Sequence, residues 1–139
     1  ANTPSISVRH CFLAAGIVRV KCIDANGVGD AAHPRVVIKA AGRTYMTEKP
    51  TLTTSSSLLW DKELEIPVVS ESRLTIEFGD FDQVFESLGS SDLSLLPLYK
   101  CASIDVSVDL KHQNELGEMI DVGKIQLALQ FVFQGPTKV

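Results

Sequence analysis

Apolar and polar residues alternate along much of this chain with a period of two. In the clearest run, Leu74, Ile76 and Phe78 fall on one face and polar side chains take the other. This period predicts a β-strand with one buried face that ends at Gly79. Seven further segments show a similar alternation: Gly16–Ala25, Pro34–Ala40, Arg43–Lys49, Trp60–Val68, Ile104–Leu110, Met119–Val122 and Gly123–Phe133.

Short strands separated by turn residues predict an all-β fold, an antiparallel β-sandwich. No segment keeps the period of 3.6 residues that marks a helix. A weaker alternation at Ser5–Leu13 predicts either an additional N-terminal strand or an ordered arm. We therefore divide the 139 residues into an arm (1–15), one sandwich domain (16–133) and a tail (134–139), and interpret Asp80–Tyr99 as a long mixed connection.

The composition argues against several classes of protein. With 13 basic and 17 acidic residues the formal net charge is −4, which does not favour nucleic-acid binding. No run approaches the roughly 18 apolar residues that predict a membrane-spanning helix, and the first residues lack the pattern of a signal peptide. Cys11, Cys22 and Cys101 form no metal-ligand motif, so we expect buried free thiols in a reducing, cytoplasmic compartment.

The sequence also lacks the motifs of catalysis. It contains no nucleophile elbow, no phosphate-binding loop and no zinc-protease helix motif. His10, His33 and His112 fall in unrelated segments, so no catalytic set forms around them. We therefore expect neither enzymatic activity nor a small-molecule substrate.

Two carboxylates follow the strand that ends at Gly79. Asp80 and Asp82 stand two positions apart, so in an extended chain they point to the same side about 7 Å apart. Ca²⁺ prefers oxygen ligands of this kind and takes about six to eight of them. Two interpretations stay open, namely ligands of a shared cation or solvated charges at a loop tip.

Five pieces of the chain, taken in order, resemble the C2 domain family. Their order and spacing are more specific than any one piece, and they cover most of the chain. They are Gly16–Val28 as the first strand, His33–Thr47 as the Ser-Asp-Pro-Tyr-Val segment and the strand after it, Leu58–Val68 with Trp60 in the place of the family's Trp, Leu74–Asp82 as the strand ending in Asp-x-Asp, and Gly123–Phe131 as the final strand. The resemblance implies an eight-stranded antiparallel β-sandwich, with Trp60 as a core anchor.

The C2 family is best known for Ca²⁺-dependent phospholipid binding at three loops on one end of the sandwich. The resemblance places Asp80 and Asp82 in the Asp-x-Asp positions and likens Asp92 to the later Asp of the third loop. Asp30 aligns with the first-loop Asp only across a gap. His33 replaces the Asp of Ser-Asp-Pro, and a neutral imidazole is a poor ligand for a hard cation. We expect a degenerate Ca²⁺ site and no cofactor, with a working Ca²⁺ site as the alternative.

The predicted connection after Gly79 carries a candidate docking surface, formed by Phe81, Val84, Phe85 and Leu88. Apolar residues on a protruding loop can dock on a protein or insert into a membrane. The alternative is that they pack against the sandwich as a short helix or ordered loop. Their acidic neighbours favour a protein partner over an anionic membrane.

A candidate basic face comprises Arg35, Lys39, Arg43 and Lys49 on two adjacent predicted strands. The resemblance implies that such a face can bind phosphoinositide head groups. The alternative is that these side chains are only solvated, since Lys39 alone clearly faces outward in the alternation.

Together these observations predict a non-catalytic, C2-like module of a larger intracellular protein. We expect it to act in Ca²⁺-independent protein–protein interaction or scaffolding, placing its parent at a membrane or a cytoskeletal structure. The alternative is a peripheral phospholipid-binding domain, with or without Ca²⁺. A homodimer formed through an exposed strand edge is a further prediction.

Overall fold

The structure, a computed structural model, describes residues 14–26, 32–53, 57–60, 62–69 and 71–136. The strands are β1 (Ala14–Asn26), β2 (Pro34–Ala40), β3 (Arg43–Met46), β4 (Leu52–Thr53), β5 (Ser57–Leu59), β6 (Glu63–Val69), β7 (Arg73–Asp82), β8 (Val84–Ser94), β9 (Ser103–Gln113) and β10 (Met119–Pro136), and the helix is α1 (Leu96–Cys101). Eight of these strands have four or more residues, whereas β4 and β5 are shorter. The predicted all-β, eight-stranded antiparallel fold is confirmed.

The strands form one continuous antiparallel sheet that folds around one core into two layers, which we call the front sheet and the back sheet. The front sheet has the order β3–β2–β7–β8, and the back sheet has the order β9–β10–β1–β6, with β5 and β4 beside the end of β1. A single pair, Ser90 opposite Lys111, joins β8 to β9. Because β1 pairs with β10 on one side and with β6 on the other, this strand lies in the interior of the back sheet.

The predicted inward faces meet in the core. Leu74, Ile76 and Phe78 of β7 are almost completely buried, as the alternation predicts. The other long strands contribute Val18, Val20, Cys22, Val36, Ile38, Ile66, Val68, Val108, Leu110, Ile125, Leu127 and Leu129. Trp60 is buried as well, and its Nε1 donates a 3.0 Å hydrogen bond to the carbonyl oxygen of Glu48. This bond satisfies the one polar atom of the indole, so Trp60 anchors the core as predicted.

A short helix closes one end of the sandwich, which we call the helix end. α1 carries Pro97 in its first turn, where the missing N–H costs no helical hydrogen bond. Leu98 is fully buried in the core. Tyr99 lies edge-on to Phe131, with ring centroids 5.0 Å apart, and its hydroxyl donates to the Glu71 carbonyl oxygen at 2.6 Å. In the described part of the chain, no helix is long and apolar enough to cross a membrane.

The opposite end, the loop end, carries the candidate functional residues. The N–H of Leu95, just before α1, donates to the carbonyl oxygen of Ser72 at the start of β7. β7 therefore runs away from the helix end, and the turn between β7 and β8 lies at the loop end. The antiparallel pairings bring the β9–β10 turn, the start of β2 and the segment after β3 to this same end.

The prediction of a long connection at Asp80–Tyr99 is wrong. β7 continues through Asp82, Gln83 turns the chain with a φ of 70°, and β8 returns along β7 as far as Ser94. β8 is mostly polar, and backbone pairing with β7 holds it in place. An edge-like strand of this kind needs no alternating apolar face, so the period of two did not reveal it.

Two residues are more exposed than the sequence predicts. Cys101 lies on the outer side of α1 and is exposed, whereas Cys22 is buried as expected. Phe133, the last residue of the alternating segment Gly123–Phe133, has 57% of its surface exposed toward the end of β10. Both residues lie near the helix end of the sandwich, where the strands end.

Some predicted boundaries also change. Trp60–Val68 is not one strand, because β5 ends before Trp60 and β6 begins after it. Met119–Val122 belongs to β10, whose pairing register shifts just before Gly123. Part of the predicted arm enters β1 at Ala14, and residues 1–13 lie outside the described residues, as do Asp30 and residues 137–139.

Candidate functional site

The β7–β8 hairpin forms the tip of the loop end. Its pairing register shifts between Phe78 and Gly79, which leaves Leu88 as the extra residue of a β-bulge. A Cβ at Gly79 would collide with the backbone carbonyl oxygen of Glu86, so the close approach of the two strands requires glycine here. We call residues 79–87 the tip hairpin.

Asp80 ties the tip hairpin to the start of β2. The backbone N–H of His33 donates to Asp80 Oδ1 at 2.6 Å, and the ring Nδ1 of His33 lies 3.9 Å from the same oxygen. The His33 carbonyl oxygen in turn accepts a 2.9 Å hydrogen bond from the N–H of Phe81. One oxygen of Asp80 therefore has a structural partner, whereas Asp82 is exposed.

Asp92 does not join Asp80 and Asp82. It lies opposite Thr75 in the front sheet, accepts a 2.8 Å hydrogen bond from Thr75 Oγ1, and approaches the Arg73 guanidinium at 3.7 Å. Thr75 stands five positions before Asp80 on β7, which is about 17 Å along a strand. The placement of Asp92 in a loop near Asp80 is therefore wrong, because that loop is a paired strand.

The described carboxylates do not fit the Ca²⁺ site that the C2 resemblance implies. Within the residues that the structure describes, no three His, Cys, Asp or Glu side chains form a group that could hold a metal ion. Asp30 lies outside those residues. Since Ca²⁺ needs about six to eight oxygen ligands, the chemistry of the loop end is described without a metal.

Glu86 is a site residue that the sequence did not reveal. It stands directly opposite Asp80 across the tip hairpin, so the two side chains share a face of the ribbon. With Asp82, the tip hairpin thus carries three carboxylates along its length. Recognising Gln83 as a turn would have disclosed this pairing, but glutamine is not a typical turn residue.

The predicted apolar docking surface is only partly present. Val84 stands at the apex of the tip hairpin with 75% of its surface exposed. Phe81 and Phe85 face each other across the hairpin and are half-buried. Leu88 is half-buried and packs against the core. Val84 is thus the most exposed apolar side chain of the tip hairpin, and the rings of Phe81 and Phe85 are half-buried.

A cleft of about 550 Å³ lies between the tip hairpin and the segment after β3. Its lining residues are Arg35, Met46, Thr47, Glu48, Lys49 and Phe81. Thr47 is buried, and its Oγ1 accepts a 2.9 Å hydrogen bond from the N–H of Val36, which fixes one wall of the cleft to β2. The cleft is wide and largely open to solvent.

Arg35 and Lys49 give the cleft a positive charge. Neither side chain lies within 4.0 Å of a carboxylate in the described ranges. Glu48 instead pairs with Lys62 at 2.9 Å. The hydrogen bond from Lys62, then its charge, and to a smaller extent the charge of Arg35 lower the pKa of the Glu48 carboxyl.

The predicted basic face is therefore divided. Lys39 forms a 3.0 Å ion pair with Glu77 on the front sheet. Arg43 lies at the start of β3, the end of that strand farthest from the cleft. Arg35 and Lys49 come together at the loop end, although the sequence separates them by a turn and a strand.

No protein-family model and no curated protein matches this sequence. Solved structures do match. A C2 domain-containing protein from a putative elicitor-responsive gene gives a TM-score of 0.66 at 17% identity, over 91% of this chain and 95% of that one. The first C2 domain of plant extended synaptotagmin 1 gives 0.60 at 21% identity, over 91% and 98%. Human GIVD cytosolic phospholipase A2 gives 0.61 at 16% identity, over 85% of this chain and 15% of that one.

This chain has the C2 fold. The match to an isolated C2 domain of the plant synaptotagmin extends over nearly the whole of both chains, so the resemblance predicted from the sequence is confirmed at the level of the fold. Within this C2 fold, the tip hairpin and the cleft lie side by side at the loop end. Similarity to solved structures shows the fold alone, and the same fold serves many functions. The features of this chain that bear on its function are therefore the tip hairpin and the cleft.

Proposed function

We propose that this C2-fold domain is a non-catalytic docking module that binds a protein partner through its loop end without Ca²⁺. The observation that carries the proposal is Val84, an aliphatic side chain that is largely exposed at the apex of an ordered hairpin. A side chain held outward in this way loses little conformational freedom on binding and can fill an apolar pocket in a partner.

The charges around Val84 favour a protein partner over an anionic bilayer. The same tip hairpin carries the carboxylates of Asp80, Asp82 and Glu86. The negative surface potential of an anionic leaflet repels carboxylates. A protein surface can instead place cations opposite them, which orients the partner and speeds its association.

The arrangement of oxygen donors supports independence from Ca²⁺. Asp80 Oδ1 already accepts the His33 N–H, and Asp92 is engaged by Thr75 and Arg73 in the middle of the front sheet. Within the described residues, the carboxylates that stay at the tip do not form a group of three side chains that could hold a metal ion.

The test uses the whole chain as bait in excess chelator and quantifies the bound proteins by mass spectrometry. Val84→Asp places a charge at the apex, and we expect it to remove the specifically retained proteins. Val69→Asp changes another exposed strand valine, at the helix end, and serves as the matched control that retains them. Equal retention by the two variants, or retention that requires added Ca²⁺, contradicts the proposal.

A second candidate function is peripheral binding of an anionic phospholipid head group, and the cleft is the observation that favours it. Arg35 and Lys49 present two cations at the loop end, beside the ring of Phe81. Phosphate oxygens bind well to an arginine and a lysine that have no competing ion pair.

Cosedimentation with vesicles tests this second candidate. The chain is mixed with phosphatidylcholine vesicles, with or without phosphatidylserine, in excess chelator. If the cleft binds head groups, the double variant Arg35→Gln and Lys49→Gln loses binding to the anionic vesicles. The control Lys39→Gln and Arg43→Gln removes the same charge outside the cleft and should keep it. Equal losses in both double variants would indicate only a general charge effect.

A further inference from the structure

The β9–β10 hairpin protrudes from the sandwich at the loop end. We call residues 111–121 the arm, which is a different segment from the N-terminal arm predicted at 1–15. These residues are all exposed except Asn114, which is half-buried. β8 pairs with β9 only at Lys111, so among the described strands the two ribbon strands pair only with each other beyond this point. A two-stranded ribbon standing alone is marginally stable in water, so further contacts are needed to hold this arm in a single conformation.

The side chain of Asn114 fixes the turn of the arm. Its Oδ1 accepts hydrogen bonds from the N–H groups of Leu116 and Glu118, each at 2.9 Å. The Asn114 N–H donates to the Glu118 carbonyl oxygen at 2.9 Å, and the side-chain amide of Gln113 donates to the Gly117 carbonyl oxygen at 3.3 Å. Gly117 has a φ of 82°, which glycine adopts without strain. The turn therefore holds Leu116 outward.

The arm combines exposed apolar side chains with negative charge. Leu116 has 83% of its surface exposed and Met119 has 62%, and Ile120 is exposed too. Glu115 and Glu118 flank Leu116, and neither forms an ion pair with any described residue. Apolar groups that cluster in water at the end of a fixed element are typical of an interaction surface.

The cleft of the same chain has the complementary character. It offers Met46 and Phe81 as apolar walls and Arg35 and Lys49 as cations, in a volume of about 550 Å³. Glu48 lines it too, but its carboxylate is paired with Lys62 at 2.9 Å. In the strand order, β8 stands between β7, whose Phe81 lines the cleft, and the arm. An arm of fixed conformation therefore does not fold back onto its own cleft.

We propose that two copies of this chain form a two-fold dimer in which each arm inserts Leu116 into the cleft of the other copy. Glu115 and Glu118 of one copy then face Arg35 and Lys49 of the other. Both elements lie at the loop end, so two copies that meet by their loop ends exchange both contacts at once. A closed two-fold arrangement satisfies all contacts without further growth. The contacts that define this dimer do not include Val84, so charge reversal in the arm and the cleft tests it separately from the proposed protein partner.

A lipid bilayer is a less suitable binding partner for the arm than a second copy of the chain. Insertion of Leu116 would carry Glu115 and Glu118 to the membrane surface, where an anionic leaflet repels them. In the dimer the same carboxylates gain two cations. Charge complementarity on one chain therefore favours a second copy.

Sedimentation velocity of the whole chain, from micromolar to millimolar concentration, tests the dimer through charge reversal. The arm variant Glu115→Lys with Glu118→Lys, and the cleft variant Arg35→Glu with Lys49→Glu, should each associate at least about tenfold more weakly than the native chain, which is about 1.4 kcal/mol. When the two variants are mixed, every arm meets a cleft of opposite charge. We expect the mixture to form heterodimers although neither variant forms a homodimer.

Glu63→Lys with Asp105→Lys is the matched control, since both residues are exposed outside the arm and the cleft and the charge change equals that of the arm variant. It should dimerise like the native chain, and circular dichroism checks that each variant folds. A native chain that stays monomeric throughout, or a mixture without heterodimers, overturns the proposal. So does an arm variant that only loses affinity for phosphatidylcholine vesicles, because the arm would then contact a membrane.

Discussion

The hydroxyl of Thr75 donates a 2.8 Å hydrogen bond to Asp92 Oδ1, directly across two paired strands of the front sheet. This contact holds Asp92 in the middle of the sheet, where Arg73 lies 3.7 Å from its other oxygen. Asp92 is thereby removed from the loop end. Of the candidate Ca²⁺ ligands among the described residues, Asp80 and Asp82 remain at the loop end, and the sequence alone could not separate them from Asp92.

We therefore predict that Ca²⁺ does not stabilise the fold. A ligand that binds only the folded state raises the free energy of unfolding, by about 2.7 kcal/mol at a concentration 100-fold above its dissociation constant, and the thermal midpoint rises with it. Thermal unfolding in excess chelator and in millimolar Ca²⁺ should give superimposed curves. A rise with Ca²⁺ that disappears in Asp80→Asn with Asp82→Asn, but persists in Asp92→Asn, would show that the tip binds the ion.

Asp80 and Asp82 should differ in their contribution to stability. Asp80→Ala removes the acceptor of the His33 N–H and should lower the free energy of unfolding by about 1–2 kcal/mol. Asp82 is exposed, and Asp82→Ala should change the free energy of unfolding by no more than about 0.5 kcal/mol. Urea denaturation measures both values. Equal losses would mean that the contact between Asp80 and His33 does not join the two loops in solution.

The sequence predicted those parts of the fold that have one buried and one exposed face. In β7 the alternation of Leu74, Ile76 and Phe78 reports burial directly, because side chains along a strand point to opposite faces. β8 buries few side chains and is held by backbone pairing, so its sequence carries no such period. The turn at Gln83 also has no recognisable sequence signal, because glutamine does not favour the positive φ that it adopts here.

The candidate site was predictable only where its residues are neighbours in sequence. Asp80 and Asp82 follow one strand, so their common position was evident. Glu86 joins them through the hairpin register, which depends on a turn that was not recognised. The cleft brings Arg35 and Lys49 to Phe81 from three elements. Such convergence is a property of the packed sheet and has no signature in local sequence.

The two described cysteines should react very differently. Burial raises the pKa of the Cys22 thiol from 9.0 to about 12, so it holds almost no thiolate near neutral pH. Cys101 is exposed on α1. Brief treatment of the folded chain with iodoacetamide should alkylate Cys101 far faster than Cys22, as measured by peptide mass spectrometry. In denaturant the two rates should converge, and rapid labelling of Cys22 without denaturant would contradict its burial.

Stability at high pH should depend on Tyr99. Burial, and to a smaller extent the charge of Glu71, raise the pKa of Tyr99 above its ordinary value of 10.0. Below pH 10 the hydroxyl is protonated in both the folded and unfolded chain, so its contribution to stability is complete. Above that value the unfolded chain ionises first, and the contribution is lost as the pH rises through the folded pKa.

Tyr99→Phe isolates this contribution. At neutral pH the variant should be about 1 kcal/mol less stable, because the hydrogen bond to the Glu71 carbonyl oxygen is lost. Urea denaturation from neutral pH to about 11, a range that spans tyrosine ionisation, should show the difference between native chain and variant shrinking above pH 10. Tyr45→Phe, a change in a half-buried tyrosine of β3, serves as the control. A difference in the free energy of unfolding that stays constant with pH would mean that Tyr99 ionises equally in the folded and unfolded chain.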